Sequence, residues 1–196
     1  MGFVTSVSWQ NAERSSMTLA EASDGILAQR AADGDAVAFG VLVRRHGPFF
    51  VAFATRLTGS RADADDAVQE ALITAWDKLD ELTEPESVRA WMLRIVSRKA
   101  TDRLRSRRPV ADIDELELPA TVDGPESQTV AHSQLEALRG ALATLPEEVR
   151  TAWLLREVGG YSYDEIAEQT GVPAATVRGR LARARRALLD LMEEWR

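Results

Sequence analysis

The chain has 196 residues, with 24 Lys or Arg against 31 Asp or Glu, so its formal net charge is −7. The length fits one or two ordinary domains, and the absence of cysteine excludes disulfide scaffolds, thiolate zinc sites and cysteine nucleophiles. Only two histidines are present, so a His-rich metal site is not expected. No stretch reaches the roughly 18 uninterrupted apolar residues of a membrane span, and residues 1–11 do not form a signal peptide. A soluble cytoplasmic protein is the default expectation.

The acidic residues are unevenly distributed. Residues 109–138 carry seven acids and no Lys or Arg, and without those seven the chain has 24 acids and 24 bases. One segment therefore accounts for the whole negative excess, so the net charge does not exclude a nucleic-acid partner. The seven acids are Asp112, Asp114, Glu115, Glu117, Asp123, Glu126 and Glu136.

The N-terminal half shows helical periodicity after an unpatterned start. Residues 1–22 carry no clear pattern and are expected to be flexible. From Ser23 to Leu57 apolar residues recur at helical spacing, with breaks at Gly34 and at Gly47-Pro48. These apolar positions are Ile26, Leu27, Val37, Phe39, Val41, Leu42, Phe49, Phe50 and Phe53.

A clearer helix begins after Ser60, which forms an S-x-x-D capping signal with Asp63. Its apolar face is Ala64, Ala67, Val68, Ala71, Leu72, Ala75, Trp76 and Leu79. The opposite, solvent-facing side carries Asp63, Asp66, Gln69 and Glu70. Such a face is most often only solvated. A magnesium site on this helix is the enzymatic alternative, but no second acidic helix of comparable spacing is present to complete it.

The next predicted helix follows a break over residues 80–87 and is strongly basic. It is expected to bury Val88, Trp91, Met92, Ile95 and Val96. Residues 94–108 hold seven bases and one acid, a density that suits phosphate contacts, although a single charge run is more often a solvated face. The other face carries Arg94, Ser97, Arg98, Thr101, Arg105 and Arg108. Pro109 should end the helix, and residues 109–134 are predicted to be an inter-domain linker.

A second helical block from Leu135 onwards contains the most specific local feature. Ser162 and Glu165 form a capping box, Gly171 permits a left-handed turn, and Pro173 suits the start of a further helix. Helix, glycine turn and helix make up the helix-turn-helix plan, whose second helix enters the DNA major groove. The basic residues of this second helix are Arg178, Arg180, Arg183, Arg185 and Arg186, and its buried side is expected to be Val177, Leu181, Ala184 and Leu188.

The fold predicted from these patterns is all-α, with two small helical domains joined by an acidic linker and a helix-turn-helix in the C-terminal one. Two basic helices about seventy residues apart favour a bipartite DNA contact over two accidental charge runs. None of the common catalytic motifs is present, so no catalytic residue, cofactor or metal site is expected.

Five segments in order resemble the extracytoplasmic-function (ECF) sigma factors of bacterial RNA polymerase, and together they cover residues 23–108 and 135–192. They are GDAVAF from Gly34, DADDAVQEA from Asp63, WMLRIV from Trp91 with DRLR from Asp102, LP at Leu145 with YSYDEIA from Tyr161, and VPAATVRGRLARA from Val172. The chain departs from the usual family pattern at Ser97, Ala175 and Gly179, where the family usually has Asn, Gly and Ser.

This resemblance implies a role for each surface. It implies a region 2 domain over 23–108 and a region 4 domain over 135–196, flanking the linker 109–134. Asp63, Asp66, Gln69 and Glu70 would dock on core RNA polymerase. Promoter DNA would meet Arg94, Ser97, Arg98, Thr101 and Arg105 at the minus-ten element, with the loop 80–87 receiving a flipped base. The minus-thirty-five element would meet Thr176, Arg178, Arg180 and Arg183. An anti-sigma factor is the further expected partner.

Three other interpretations remain open from the residues. A stand-alone helix-turn-helix regulator would use residues 23–108 to sense a ligand or to dimerise, and would ignore core polymerase. A helical adaptor would use its basic faces for acidic partners. A magnesium-dependent enzyme is the weakest of the three.

Overall fold

The computed structural model describes residues 19–106, 138 and 140–193, and all regular elements among them are helical. The N-terminal domain contains α1 (Asp24–Ala32), α2 (Ala36–Thr58), α3 (Arg61–Asp77) and α4 (Val88–Ser106), with 3-10 turns at Leu79–Glu81 and Pro85–Ser87. The C-terminal domain contains α5 (Glu147–Trp153), a π-helical turn at Leu154–Val158, α6 (Tyr163–Thr170) and α7 (Ala174–Glu193). The all-α prediction is confirmed. The predicted linker 109–134 and residues 1–18 lie outside the described residues.

Helix α2 forms the centre of the N-terminal domain and packs against α1, α3 and α4. The Asp35 side chain caps its first turn by accepting hydrogen bonds from the N–H groups of Val37 and Ala38, and Gly59 ends it in a left-handed conformation at φ 69°. Within the described part of the chain, α2 alone is long and apolar enough to cross a membrane by length and composition. Its side chains Phe50 and Leu57 are buried in the domain core. A helix that belongs to a protein core can pass the same test of length and composition.

The start of the domain is more ordered than the sequence suggests. Leu19 is buried, and the Arg45 guanidinium donates hydrogen bonds to the carbonyl oxygens of Ala20 and Ala22 at 2.9 and 3.0 Å. Arg45 and His46 also contact the carboxylate of Asp24 at the start of α1. The expectation of a flexible segment is therefore wrong for residues 19–22, because long-range polar contacts hold it.

Some predicted apolar positions are exposed. Ile26 and Val37 are each about half exposed, and Trp76 is partly exposed although its ring packs at a tilt against that of Phe39, with centroids 5.1 Å apart. The remaining pattern matches the core closely. The buried or half-buried side of α4 is formed by Val88, Trp91, Met92, Ile95 and Val96, as predicted.

The helix-turn-helix forms as the local signals predict. The Ser162 hydroxyl accepts from the Glu165 N–H, the Glu165 carboxylate accepts from the Ser162 N–H at 2.7 Å, and Gly171 adopts φ 71° between α6 and α7. Helix α7 begins one residue after Pro173. Its predicted buried side is confirmed at Val177, Leu181, Ala184 and Leu188.

Two glycine-to-alanine substitutions should have opposite effects on the C-terminal domain. Gly171→Ala forces a Cβ into the left-handed region, which costs about 1–2 kcal/mol. Gly179 lies inside α7, and a Cβ there meets nothing within 4 Å, so Gly179→Ala should stabilise the chain by about 1 kcal/mol. Urea unfolding of the full chain, followed by circular dichroism, measures both changes. Equal effects of the two variants would contradict the assigned turn.

Candidate nucleic-acid and protein interfaces

Three of the five predicted minus-ten residues are exposed on α4 and two are buried. Arg94, Arg98 and Arg105 reach solvent, whereas Ser97 and Thr101 are 0% and 2% exposed. The periodicity of α4 does place these residues on a side away from the hydrophobic core of their own domain. That side is covered because α6 of the C-terminal domain packs against it. The expectation that Ser97 and Thr101 lie on an open face is therefore wrong for this arrangement.

Polar contacts join α4 to the C-terminal domain. Arg94 pairs with Glu165, N to O 2.9 Å, and its guanidinium lies 5.1 Å from the centre of the Tyr161 ring. The Tyr161 hydroxyl donates to the Arg94 carbonyl oxygen at 3.2 Å, and Gln169 Nε2 donates to Thr101 Oγ1 at 3.0 Å. Burial raises the pKa of Tyr161, so the phenol stays a hydrogen-bond donor at neutral pH. We call this set of contacts the closed contact.

The closed contact was not predictable from the sequence pattern. Tyr161 and Glu165 belong to a capping segment, and Gln169 is an ordinary helix residue, so local spacing gives no sign of a partner seventy residues away. The contact also reaches the buried Ser97 hydroxyl. This hydroxyl lies outside ordinary hydrogen-bond geometry but close enough to the Tyr161 phenol to lower the pKa of Tyr161, against the raising effect of burial.

The predicted acidic face of α3 is largely exposed but is not free of protein contacts. Asp66, Gln69 and Glu70 are exposed and Asp63 is half-buried. Arg103 of α4 contacts the Asp66 carboxylate at 3.0 Å and the Glu70 carboxylate at 2.5 Å, and its hydrogen bond lowers the pKa of Glu70.

A third cation–carboxylate contact extends this cluster, since Lys99 Nζ lies 3.6 Å from Glu70 Oε2. Two bases of the α4 run are therefore turned toward α3. Sequence spacing could not show this, because it requires the crossing geometry of the two helices.

The exposed side of α7 is basic. Thr176, Arg178 and Arg183 are exposed and Arg180 is half-buried, while Val177 and Leu181 anchor the helix from below. Arg185 approaches Glu157 only at 4.0 Å. The predicted recognition residues therefore share an accessible surface at the start of a helix that follows a tight turn, as a major-groove reader requires.

A cleft of about 370 Å³ lies where the loop after α3 approaches α1. Asp80, Leu82 and Pro85 contribute its loop side, and polar groups come from Gln29 of α1 and from Asp33 in the turn after it. The predicted base-receiving loop thus borders an open cleft that it forms together with α1. The contribution of α1 was not predicted.

Comparisons with known proteins match both domains. The family model of Sigma-70 region 2 matches residues 42–110, and that of Sigma-70 region 4 matches residues 135–188. The RNA polymerase sigma factor NccH of Alcaligenes xylosoxydans xylosoxydans is 36% identical over 176 residues, covering 87% of this chain and 95% of that protein. The ECF RNA polymerase sigma-E factor of Escherichia coli K12 is 32% identical over 177 residues, covering 85% and 92%.

Two solved structures are similar in fold and sequence. The structure of CnrH in complex with the cytosolic domain of CnrY has a TM-score of 0.51 and 32% identity, covering 87% of this chain and 97% of that one. The sigma factor RpoE in complex with the anti-sigma factor NepR from Bartonella quintana has a TM-score of 0.53 and 25% identity, covering 79% and 96%.

The closed contact should weaken when Glu165 loses its charge. The pKa of Glu165 is lowered from its ordinary 4.5 to about 2. The largest cause is the hydrogen bond from the Ser162 backbone N–H, followed by the Ser162 side chain and the Arg94 guanidinium. The charged form therefore stabilises the folded chain fully above about pH 4.5, and this contribution is lost as the pH falls toward 2. Only the part that Arg94 supplies depends on closure, because the Ser162 hydrogen bonds lie within the C-terminal domain. Glu165→Gln keeps a cap acceptor for Ser162 but removes the ion pair with Arg94.

The measurement is energy transfer between dyes on two introduced cysteines, Asp77→Cys and Ala182→Cys, which is practical because the natural chain has none. We expect lower transfer at neutral pH for Glu165→Gln than for the parent, and a flatter response between pH 4.5 and 2. Glu168→Gln, an exposed acid on the same helix, is the matched control. Identical transfer in all three proteins would show that the ion pair does not hold the domains together.

Proposed function

The chain belongs to the ECF sigma factors of bacterial RNA polymerase and directs transcription initiation, and from this premise we propose which of its surfaces meet each partner. Residues 23–108 are the domain that binds core polymerase and the minus-ten element, and residues 135–196 bind the minus-thirty-five element. The acidic linker 109–134 joins them, after an N-terminal segment of residues 1–22. The protein acts inside the cell with the polymerase, for which we propose the cytoplasm.

Core polymerase binds the acidic face of α3. Asp66, Gln69 and Glu70 support this assignment because their side chains are exposed along one side of the helix, with Asp63 at its first turn. Carboxylates at this spacing suit a basic partner surface, and their position on a packed helix holds them in a fixed register. The role is one of binding and placement, and it needs no catalytic group in this chain.

The minus-ten element binds α4 and the neighbouring loop. Arg94, Arg98 and Arg105 supply cations for phosphates, and Ser97 and Thr101 supply hydroxyl groups for base edges. A base leaving the stack enters the cleft between the loop and α1, where Gln29 offers both amide donors and an acceptor. Asp80 at the same cleft would accept from a base amino group.

The burial of Ser97 and Thr101 means that the two domains must separate before α4 can bind the minus-ten element. Both residues lie beneath the C-terminal domain in the closed contact, so promoter DNA reaches them only after the two domains separate. Binding to core polymerase would hold the domains apart and fix their distance. Two modest DNA contacts then act together on one promoter, as linked binding sites do.

The minus-thirty-five element binds the exposed side of α7 through Thr176, Arg178, Arg180 and Arg183. An arginine at the start of a recognition helix can form paired hydrogen bonds with guanine in the major groove. An anti-sigma factor is the further proposed partner, supported by the related sigma factor RpoE, whose structure contains the anti-sigma factor NepR.

Polymerase binding is tested with Gln69→Arg, which adds a positive charge in the middle of the acidic face and leaves the Arg103 contacts with Asp66 and Glu70 in place. We expect this variant to lose co-elution with purified core RNA polymerase in size-exclusion chromatography, while the parent co-elutes at equal stoichiometry. Asp33→Arg, an exposed acid in the turn after α1, is the control and should co-elute normally. A parent chain that elutes alone at several salt concentrations would favour the stand-alone regulator instead.

Promoter reading by α7 is tested with Arg178→Ala. Loss of one paired base contact should reduce discrimination between intact and altered minus-thirty-five elements by about 1–3 kcal/mol, or roughly 5- to 150-fold. The measurement is run-off transcription by the reconstituted holoenzyme on both templates. Arg186→Ala removes an exposed base further along the helix and should weaken both templates alike. Unchanged discrimination by Arg178→Ala would place the base contact elsewhere.

A further inference from the structure

Lys99 and Arg103 belong to the basic run of α4, yet neither is among the residues assigned above to the promoter. Their cationic groups are held by the acidic face of α3, through Arg103 with Asp66 and Glu70 and through Lys99 with Glu70. These contacts connect the surface assigned to polymerase with the helix assigned to DNA. The carboxylates that would bind one partner therefore neutralise cations that could bind the other.

We propose that Lys99 and Arg103 are further promoter-phosphate contacts, held by Asp66 and Glu70 in the free chain and released when a basic surface of core polymerase takes over those carboxylates. This inference rests on the proposed function, because it assigns the two helices to those partners. It adds two residues to the DNA surface and gives Asp66 and Glu70 a second task, the control of DNA binding by α4.

The exposures of the four side chains make such an exchange feasible. Asp66 and Glu70 are 60% and 49% exposed, whereas Arg103 and Lys99 are 29% and 34% exposed. An incoming basic group therefore meets the carboxylates first. A carboxylate accepts about four hydrogen bonds, so the new contact can form before the old ones break. Solvent-screened ion pairs of this kind contribute little each, and a competing cation can replace them.

The positions on α4 suit a wider DNA contact. Lys99 and Arg103 are four residues apart and lie on one side of the helix, next to the row formed by Arg94, Arg98 and Arg105. Once released, they would add a second row of cations beside the first. In the free chain Lys99 and Arg103 are paired with carboxylates, so fewer cations are available to DNA phosphates. Non-specific DNA binding is weaker as a result, because its strength depends on how many phosphates the protein contacts.

The first experiment needs no polymerase. The full chain is titrated against a fluorescein-labelled single-stranded DNA 20-mer, and the affinity is measured by fluorescence anisotropy at several salt concentrations. Asp66→Asn with Glu70→Gln removes both carboxylates and should release both cations. We expect tighter binding at low salt and a slope of log K against log salt that is steeper by about 1.4, from about 0.7 per phosphate on single strands.

Asp33→Asn with Asp77→Asn is the matched control, since it removes the same charge from the same domain at two exposed acids that do not hold a cation of α4. Its slope should stay at the parent value. Adding Lys99→Gln and Arg103→Gln to the Asp66→Asn, Glu70→Gln chain should restore the parent slope. An equal change in both double variants, or no restoration, would overturn the proposal and leave only a general charge effect.

The second experiment tests the release itself. Holoenzyme reconstituted with Lys99→Gln and Arg103→Gln is compared with parent holoenzyme on duplex promoter DNA, where each lost phosphate contact should reduce the salt slope by about 0.9. An unchanged slope shows that polymerase does not release these cations to DNA. This outcome is distinct from failure of the proposed function, in which the parent chain does not bind core polymerase at all.

Discussion

Helix α4 packs against α1, α2 and α3 of its own domain and against α6 of the C-terminal domain, and this constraint organises the structure. A helix has one circumference, and four sets of side chains divide that of α4. Val88, Met92 and Val96 form its core side, and Lys99 with Arg103 bind α3. Ser97 and Thr101 lie beneath the C-terminal domain, and the remaining arginines reach solvent. Any partner that binds one side of α4 therefore changes what its neighbouring sides can contact.

The charge distribution follows the same logic. A chain with net charge −7 would be a poor DNA ligand if its charges were mixed evenly, but seven of its acids lie between residues 109 and 138. Of the acids on α3, Asp66 and Glu70 are paired with bases of α4. The basic side of α7 is in contrast left open, because no acid lies between Thr176 and Leu188. The two surfaces proposed to bind DNA thus differ: that of α7 is accessible in the free chain, and that of α4 is partly neutralised and partly covered.

Local chemistry made much of this fold predictable from sequence. The capping box at Ser162 and Glu165, the glycine turn at Gly171 and the buried side of α7 each depend on residues within a few positions of one another, so spacing alone identifies them. The burial of Ser97 and the pairing of Arg103 depend on helices far apart in sequence. A periodic pattern shows which side of a helix is polar, but it cannot distinguish a side that faces water from one that faces another domain.

The closed contact also bears on how a sigma factor can be held inactive without being very stable in that state. Its polar contacts include a half-exposed ion pair between Arg94 and Glu165, which water screens. Such a contact favours closure by a small free energy. A partner shifts this equilibrium only by the difference in its affinity for the open and closed chains. Core polymerase would bind both domains in the open chain, so its affinity for the open chain would greatly exceed its affinity for the closed chain. Promoter DNA alone would reach fully only the surface of α7. On the proposed assignments polymerase would bind before the promoter, because the closed chain exposes most of the acidic face of α3 but covers Ser97 and Thr101.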